Sequence, residues 1–272
     1  MNESFFFQTA LVLYGLSAAA YLVYQLGRRR TFSGAGWTVG LAGLVFHTAA
    51  LVQRTLVSGH APFTNMYESL SFLAWSCLLA YLVMDKLCNL PKAGFFLLII
   101  VLAFMLLANS PLMPKDIKPL MPALQSVWLW LHVSITLMGE AFFAVAFITS
   151  LMSLFAPSSR NKTSPDKTGA AADTLDRVSY RAIAAGFPLF TLGGLVLGMV
   201  WAHKAWGAYW SWDPKEVWSL ITWLVYALYL HTRLVMGWRG RRSAIIAVVG
   251  FLAALFTYFG VNYLLAGLHS YI

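Results

Sequence analysis

Apolar runs of about twenty residues recur along most of this chain, and no feature restricts its fold more. A run of that length, coiled as a helix at about 1.5 Å per residue, spans the ~30 Å hydrocarbon layer of a bilayer. Within that layer every backbone N–H and C=O must pair inside the protein, so such runs fold as helices. They lie at about 5–26, 36–52, 66–84, 94–107, 127–155, 180–201, 217–236 and 243–268. The expected fold class is all-α: a polytopic integral membrane protein of about eight transmembrane helices. With 60% hydrophobic and only 11% charged residues, the composition excludes an ordinary soluble domain.

The charges give the expected orientation. Fourteen of the nineteen Lys and Arg residues, from Arg28 to Arg242, fall between, or at the span ends flanking, spans 1 and 2, 3 and 4, 5 and 6, or 7 and 8. The opposite side holds Arg54, Lys115, Lys118, Lys204 and Lys215. By the positive-inside rule both termini lie outside, with the Pro-rich loop near 111–122 and a Trp-rich loop. The net charge of +9 sits in short blocks between spans, a topology signal rather than a nucleic-acid-binding face. The chain is expected to form one membrane domain, 1–272, with an outer Trp-rich loop at 202–217. A cytoplasmic flexible linker rich in Ser, Thr, Lys and Ala is expected at 156–178. The first run lacks a basic leader and is long enough to span, so it reads as a span, not a cleaved signal. Cys77 and Cys88 have no metal-like spacing.

The Trp-rich stretch is WGAYWSWDPKEVWSLITW, with Trp206, Trp210, Trp212, Trp218 and Trp223. An indole needs apolar surface and a partner for its N–H, which suits a membrane interface or a platform beneath a flat aromatic ligand. Asp213 sits in that loop, and its spacing to Glu216 is also that of a helix capping box. Lys204, Lys215 and Arg54 are candidate partners for ligand carboxylates.

Six histidines probe the spans. His132 and His269 lie near the outer ends of spans five and eight, at the depth of the Trp-rich loop. Together they can supply two axial ligands to a haem iron. His231 lies roughly 21 Å down the seventh span and has no histidine mate at its depth, so as a haem ligand it needs a second protein. His47 and Glu140, both mid-span, are candidates for a buried polar contact or a proton-accepting site, with structural packing ranked first. His60 falls in an outer loop, where Thr64 and Asn65 can cap the next helix. His203 reads as an interface histidine.

The stretch from Trp206 to Arg233 resembles the WWD signature of the haem-handling proteins of cytochrome c biogenesis, in particular the CcsA (ResC) family of the system II pathway. GHAPFTNMYESLSFLAW, WLWLHVSITL and VNYLLAGLHSY are similar to other segments of that family, so the resemblance runs from about Gly40 to the C-terminus. It implies delivery of haem b and its covalent attachment to the CxxCH segment of apocytochrome c on the outer face. The chain would then be the haem lyase (holocytochrome c synthase) subunit beside a CcsB/ResB-type membrane protein. It further implies His132 and His269 as outer axial ligands of the haem iron, and His231 as a transmembrane ligand whose mate the partner supplies. Trp206, Trp210, Trp212 and Asp213 would line the haem loop. The implied setting is the bacterial inner membrane, or the thylakoid membrane for a plastid-encoded chain, in contact with membrane lipid. Two rival readings are a haem transporter or chaperone without a catalytic role and a haem b respiratory subunit.

Overall fold

The computed structural model describes residues 3–117, 119–121, 124–156, 167–265 and 267. Among them every regular element is a helix. The chain divides into two compact units, Met1–Trp130 and Leu131–Ile272.

In the first unit, α1 (Glu3–Gly27) and α2 (Arg30–Ser58) form a hairpin. Their backbones approach closely because Gly36, Gly40 and Gly43 of α2 face Tyr21, Ser17 and Tyr14 of α1. A Cβ on Gly43 would stand 2.6 Å from the Tyr14 ring. Small residues at such crossings let membrane helices pack without a hydrophobic driving force. Helices α3 (Met66–Cys88) and α4 (Pro91–Ala108) follow. Asn65 caps α3 by accepting the Glu68 N–H, and Pro91 opens α4 where a missing N–H costs nothing.

Glu68 anchors a buried polar node. It accepts from the Thr64 N–H and hydroxyl and pairs with Arg54 at 2.8 Å. Arg54 also reaches Glu3 at 3.4 Å and the Lys115 carbonyl at 2.8 Å, while Tyr67 donates to Glu3. One guanidinium thus ties α2 to the starts of α1 and α3 and to the Pro-rich loop. His47 is fully buried, with its two nitrogens on the Tyr14 hydroxyl (3.2 Å) and Ser71 hydroxyl (2.9 Å).

The second unit holds the body of α5 (Val127–Phe155) and a long rod made of α6 (Lys167–Phe190), a π-helical turn (Thr191–Leu197) and α7 (Gly198–Trp206). Helix α8 (Pro214–Leu234) comes next, then α9 (Arg241–Leu255), a second π-helical turn (Phe256–Gly260) and α10 (Val261–Leu264). Gly139 of α5 meets Gly186 and Phe190 of the rod so closely that a Cβ there would lie 2.7 Å from the Phe190 nitrogen. Phe143 stacks on Tyr226 of α8 at 3.7 Å. At the far end of α8, Arg233 pairs with Asp176 at 2.8 Å, and Asp176 also accepts the Gly240 N–H. The ion pair fastens α6 to α8, and the Gly240 bond fastens α6 to the turn before α9.

Seven helical stretches among the described residues are long and apolar enough to cross a membrane. With the more polar α8, they make the eight rods expected from the sequence, and the protein is a multi-pass, all-α membrane protein. Helix α2 runs about six residues past the expected 36–52 at each end, and the linker and the Trp-rich loop also differ from expectation. Helix α6 begins at Lys167, inside the stretch read as a flexible linker, because Ala170, Ala171 and Ala172 favour helix and Asp176 is tied down by Arg233. Residues 157–166 of that linker lie outside the described residues. The Trp-rich loop is shorter than 202–217: α7 continues to Trp206, where Gly207 closes it with φ 81°, and α8 starts at Pro214.

Candidate functional site

The site grows from the first turns of α5 in the second unit. His132 is half-buried, and its Nδ1 lies 2.7 Å from the Gly193 carbonyl in the first π-helical turn. A carbonyl can only accept, so Nδ1 carries the proton and Nε2 carries the lone pair. The ring lies parallel to Trp201 of α7, with centroids 5.9 Å apart and planes 4° apart. Trp201 in turn meets Trp206 edge-on at 5.5 Å. A continuous aromatic run therefore leads from the imidazole to the base of the Trp-rich loop.

Seven residues, 207–213, form that loop. Trp212 stands out as a bulky residue at φ 60°, and it is 71% exposed. A positive φ costs such a residue about 1–3 kcal/mol and persists only where neighbours impose it. Glu216 supplies the constraint. Its carboxylate accepts the backbone N–H groups of Ser211 (2.8 Å) and Asp213 (3.2 Å), on both sides of Trp212, and the Ser211 hydroxyl. Asp213 is the buried N-cap of α8 and closes a capping box with Glu216. Trp210 meets Trp212 edge-on at 5.7 Å, and the buried Trp210 Nε1–H has no hydrogen-bond partner among the described residues. Glu216→Ala removes the acceptor that brackets Trp212. Amide exchange at Ser211 and Asp213 is then expected to rise about tenfold, the equivalent of losing a cap. Unchanged exchange would show that another group holds the turn.

The other two tryptophans of the stretch are packing residues. Trp218 lies on Phe256 at 4.2 Å, and Trp223 donates to Thr191 in the π-helical turn and stacks on Phe187. Gly267, two residues before His269 in sequence, packs so closely on the cap that a Cβ would stand 2.5 Å from Asp213 Oδ1. His269 itself lies outside the described residues.

His231 is exposed in the last turn of α8, at the end opposite the Trp-rich loop. It falls on one helix face with exposed Leu224, Leu228 and Val235. An imidazole in so apolar a stripe requires a polar partner that lipid chains cannot provide.

Several sequence expectations change. Arg54 is not a carboxylate-binding group for a ligand, since Glu68, Glu3 and the Lys115 carbonyl occupy its donors. Lys215 turns inward, donating to Asn262 at 3.0 Å within electrostatic reach of Glu140 and Asp213. Lys204 is exposed. His47 is held by the Tyr14 and Ser71 hydroxyls, and Glu140 lies within electrostatic reach of Lys215. His203 is exposed and stacks on Tyr209 at 4.2 Å. His60 is buried and hydrogen-bonds the Ala61 carbonyl. Trp201, Gly193 and the π-helical turn were missed. The sequence signal was the run Gly193, Gly194, Gly198, whose missing side chains permit a close helix approach.

Comparison with known proteins places this arrangement. The solved structure of a protein named "Cytochrome c Heme Lyase CcmF" superimposes with a TM-score of 0.69 at 18% identity, covering 95% of this chain. It shares the fold, and this chain spans about half of its length (47%). Proteins named "Cytochrome c biogenesis protein CcsA" are much nearer in sequence. The one from Chlamydomonas reinhardtii is 44% identical over 86% of this chain and 67% of its own. That of Prochlorococcus marinus (strain MIT 9303) is 42% identical over 86% and 82%. A Synechococcus sp. (strain WH7803) relative is 38% identical over 96% and 94%. Residues 63–269 match the family described as "Cytochrome C assembly protein", a span that takes in α3 to α10, the π-helical turns, His132 and the Trp-rich loop. On that match and those identities, the chain belongs to the cytochrome c assembly protein family.

Proposed function

We propose that this protein works in cytochrome c biogenesis as the haem-presenting subunit of a system II synthase. It holds haem b on the outer face of the membrane while the haem is joined to the CxxCH segment of apocytochrome c. The observation that carries this reading is the run His132–Trp201–Trp206, which connects an imidazole with an Nε2 lone pair to a loop of exposed indole. Haem brings an iron that takes axial imidazoles and two vinyl groups that add thiols. The residues present fit it: His132 Nε2 would hold the iron, and Trp206, Trp210 and Trp212 would provide flat apolar surface for the porphyrin. The packing of Gly267 on Asp213 supports His269 as the second ligand, because it brings the chain to the loop two residues earlier.

Asp213 acts here through the loop's shape, as the cap that sets where α8 starts. Each thioether forms when a cysteine S–H adds across a vinyl C=C bond, sulfur to one carbon and hydrogen to the other, with no leaving group. The protein's contribution is position. Holding vinyl carbons beside thiols raises their effective concentration, which is a large lever for a reaction that needs no catalytic base. His231, on its apolar stripe far from the loop, is the transmembrane ligand completed by a CcsB/ResB-type partner; the other exposed apolar faces, such as that of Val12 and Leu56, meet membrane lipid. The setting is the bacterial inner membrane or the thylakoid membrane, with the termini and the Trp-rich loop outside. The haem b respiratory reading loses support, since both nitrogens of mid-span His47 are taken by hydroxyls.

Co-expression with a CcsB-type partner and an apocytochrome c, in cells lacking other maturation systems, tests this function. Covalently haem-stained cytochrome is expected only when all three are present. Haem on the outer face without thioether formation would instead make the protein a transporter. A His231→Ala variant is expected to lose haem at the transmembrane site while keeping the loop site, seen as about half the haem per protein. Unchanged stoichiometry would remove His231 from the ligand set.

A further inference from the structure

The rod that faces α5 is an α-helix interrupted for seven residues by a π-helical turn, Thr191–Leu197. Such turns disturb the regular ladder of a helix and recur at functional sites. Here the Gly193 carbonyl accepts from the Gly198 N–H, five residues on, and also from His132 Nδ1 at 2.7 Å. Two glycines allow the close approach, Gly193 inside the turn and Gly198 immediately after it. A Cβ on Gly193 would run into the backbone nitrogen of Thr136, one helical turn beyond His132. A Cβ on Gly198 would lie 3.1–3.2 Å from the His132 ring. Between them, Gly194 is different: its Cβ would make only ordinary contacts at 3.5–3.6 Å, none of them to His132. Thr191, which opens the turn, is held by the Trp223 N–H at 2.9 Å.

Resting on the reading of His132 as an iron ligand, we propose that this turn is the positioning device for that ligand. Gly193 and Gly198 bring the Gly193 carbonyl onto Nδ1, which fixes the tautomer, aims Nε2 and makes it more basic, while Trp201 fixes the ring plane. A second partner on the far nitrogen orients most metal-binding histidines, and its loss typically weakens binding 10–100-fold. Gly193, Gly198 and Trp201 are thus positioning residues, acting on haem through His132.

The test replaces the imidazole with a diffusible one. In His132→Gly, purified in detergent with its haem, three ligands are titrated by absorption spectroscopy. Imidazole carries an N–H opposite its ligating nitrogen and can donate to the Gly193 carbonyl. 1-Methylimidazole cannot, and 4-methylimidazole restores the N–H at the same bulk. Imidazole and 4-methylimidazole are expected to bind at least tenfold more tightly than 1-methylimidazole. Equal affinities of all three would overturn the positioning role while leaving His132 as a ligand. A His132→Gly spectrum identical to wild type, insensitive to all three, would defeat the ligand reading itself.

A second series keeps His132. Gly198→Ala is expected to raise the haem reduction potential, because a displaced ring loses the hydrogen bond that makes the ligand electron-rich. Gly194→Ala, in the same turn, should leave the potential and the spectrum at wild-type values. A merely structural turn would give two Gly→Ala variants with altered thermal stability and one common potential, and that result would overturn the proposal.

Discussion

Replacing His132 with alanine is expected to lower covalent holocytochrome c formation about a hundredfold or more, the loss that follows when a reacting group is displaced by about an ångström. The protein should still fold and insert. His132 is half-buried, its ring contacts one face of Trp201, and α5 keeps its packing at Gly139 and Phe143. The defect is therefore one of haem position, and added imidazole should restore part of it by occupying the vacated space beside Trp201. Haem-stained cytochrome, normalised to the amount of membrane-inserted protein, provides the measurement. Wild-type yield in His132→Ala would remove this histidine from the reaction. A yield that falls in parallel with protein level would show a folding role only.

The second large effect concerns stability rather than chemistry. Arg54→Ala strands the buried Glu68 and the half-buried Glu3 without their counter-charge and leaves the Lys115 carbonyl without its donor. Removing one partner of a buried ion pair costs about 3–5 kcal/mol, because the remaining charge is uncompensated. Melting in detergent should fall accordingly, with the loss concentrated in the first unit. Arg54→Lys should recover only part of it, since a single ammonium cannot match three acceptors arranged around a planar fork. Equal melting of Arg54→Ala and wild type would mean that solvent reaches the node. The same experiment separates the units: haem bound per folded protein should be unchanged in Arg54→Lys, because Arg54 serves the fold and no ligand carboxylate.

Legibility in the sequence followed the range of the interaction involved. The limits of α5, Val127–Phe155, and the caps at Asn65 and Asp213 were readable because they depend on neighbours within four residues. The number of helical rods was readable because the bilayer fixes their length and apolarity. Arg54 was misjudged because two of its three partners, Glu3 and the Lys115 carbonyl, lie 51 and 61 residues away. His47 was placed with Glu140 on depth alone, whereas Tyr14 and Ser71 decide its environment from 33 and 24 residues away. The π-helical turns left no periodic trace, since TLGGLVLGMVW is apolar and helix-compatible at any pitch. Yet one of these turns carries the carbonyl that orients His132. The Trp-rich loop was visible from composition, but the division of its labour was not: Trp218 and Trp223 pack the unit, Trp206 extends the aromatic run, and Trp212 is held outward at positive φ by Glu216.

Haem binding by the second unit, through His132 beside the Trp-rich loop, underlies the proposed function. Its most direct test is the absorption spectrum of the purified protein, compared among wild type, His132→Ala, His269→Ala and, as a structural control, His47→Ala. Wild type and His47→Ala are expected to show the same six-coordinate haem band, and His132→Ala and His269→Ala a lost or shifted one. A wild-type band in His132→Ala, or no haem band in any of the four, would exclude haem binding through His132.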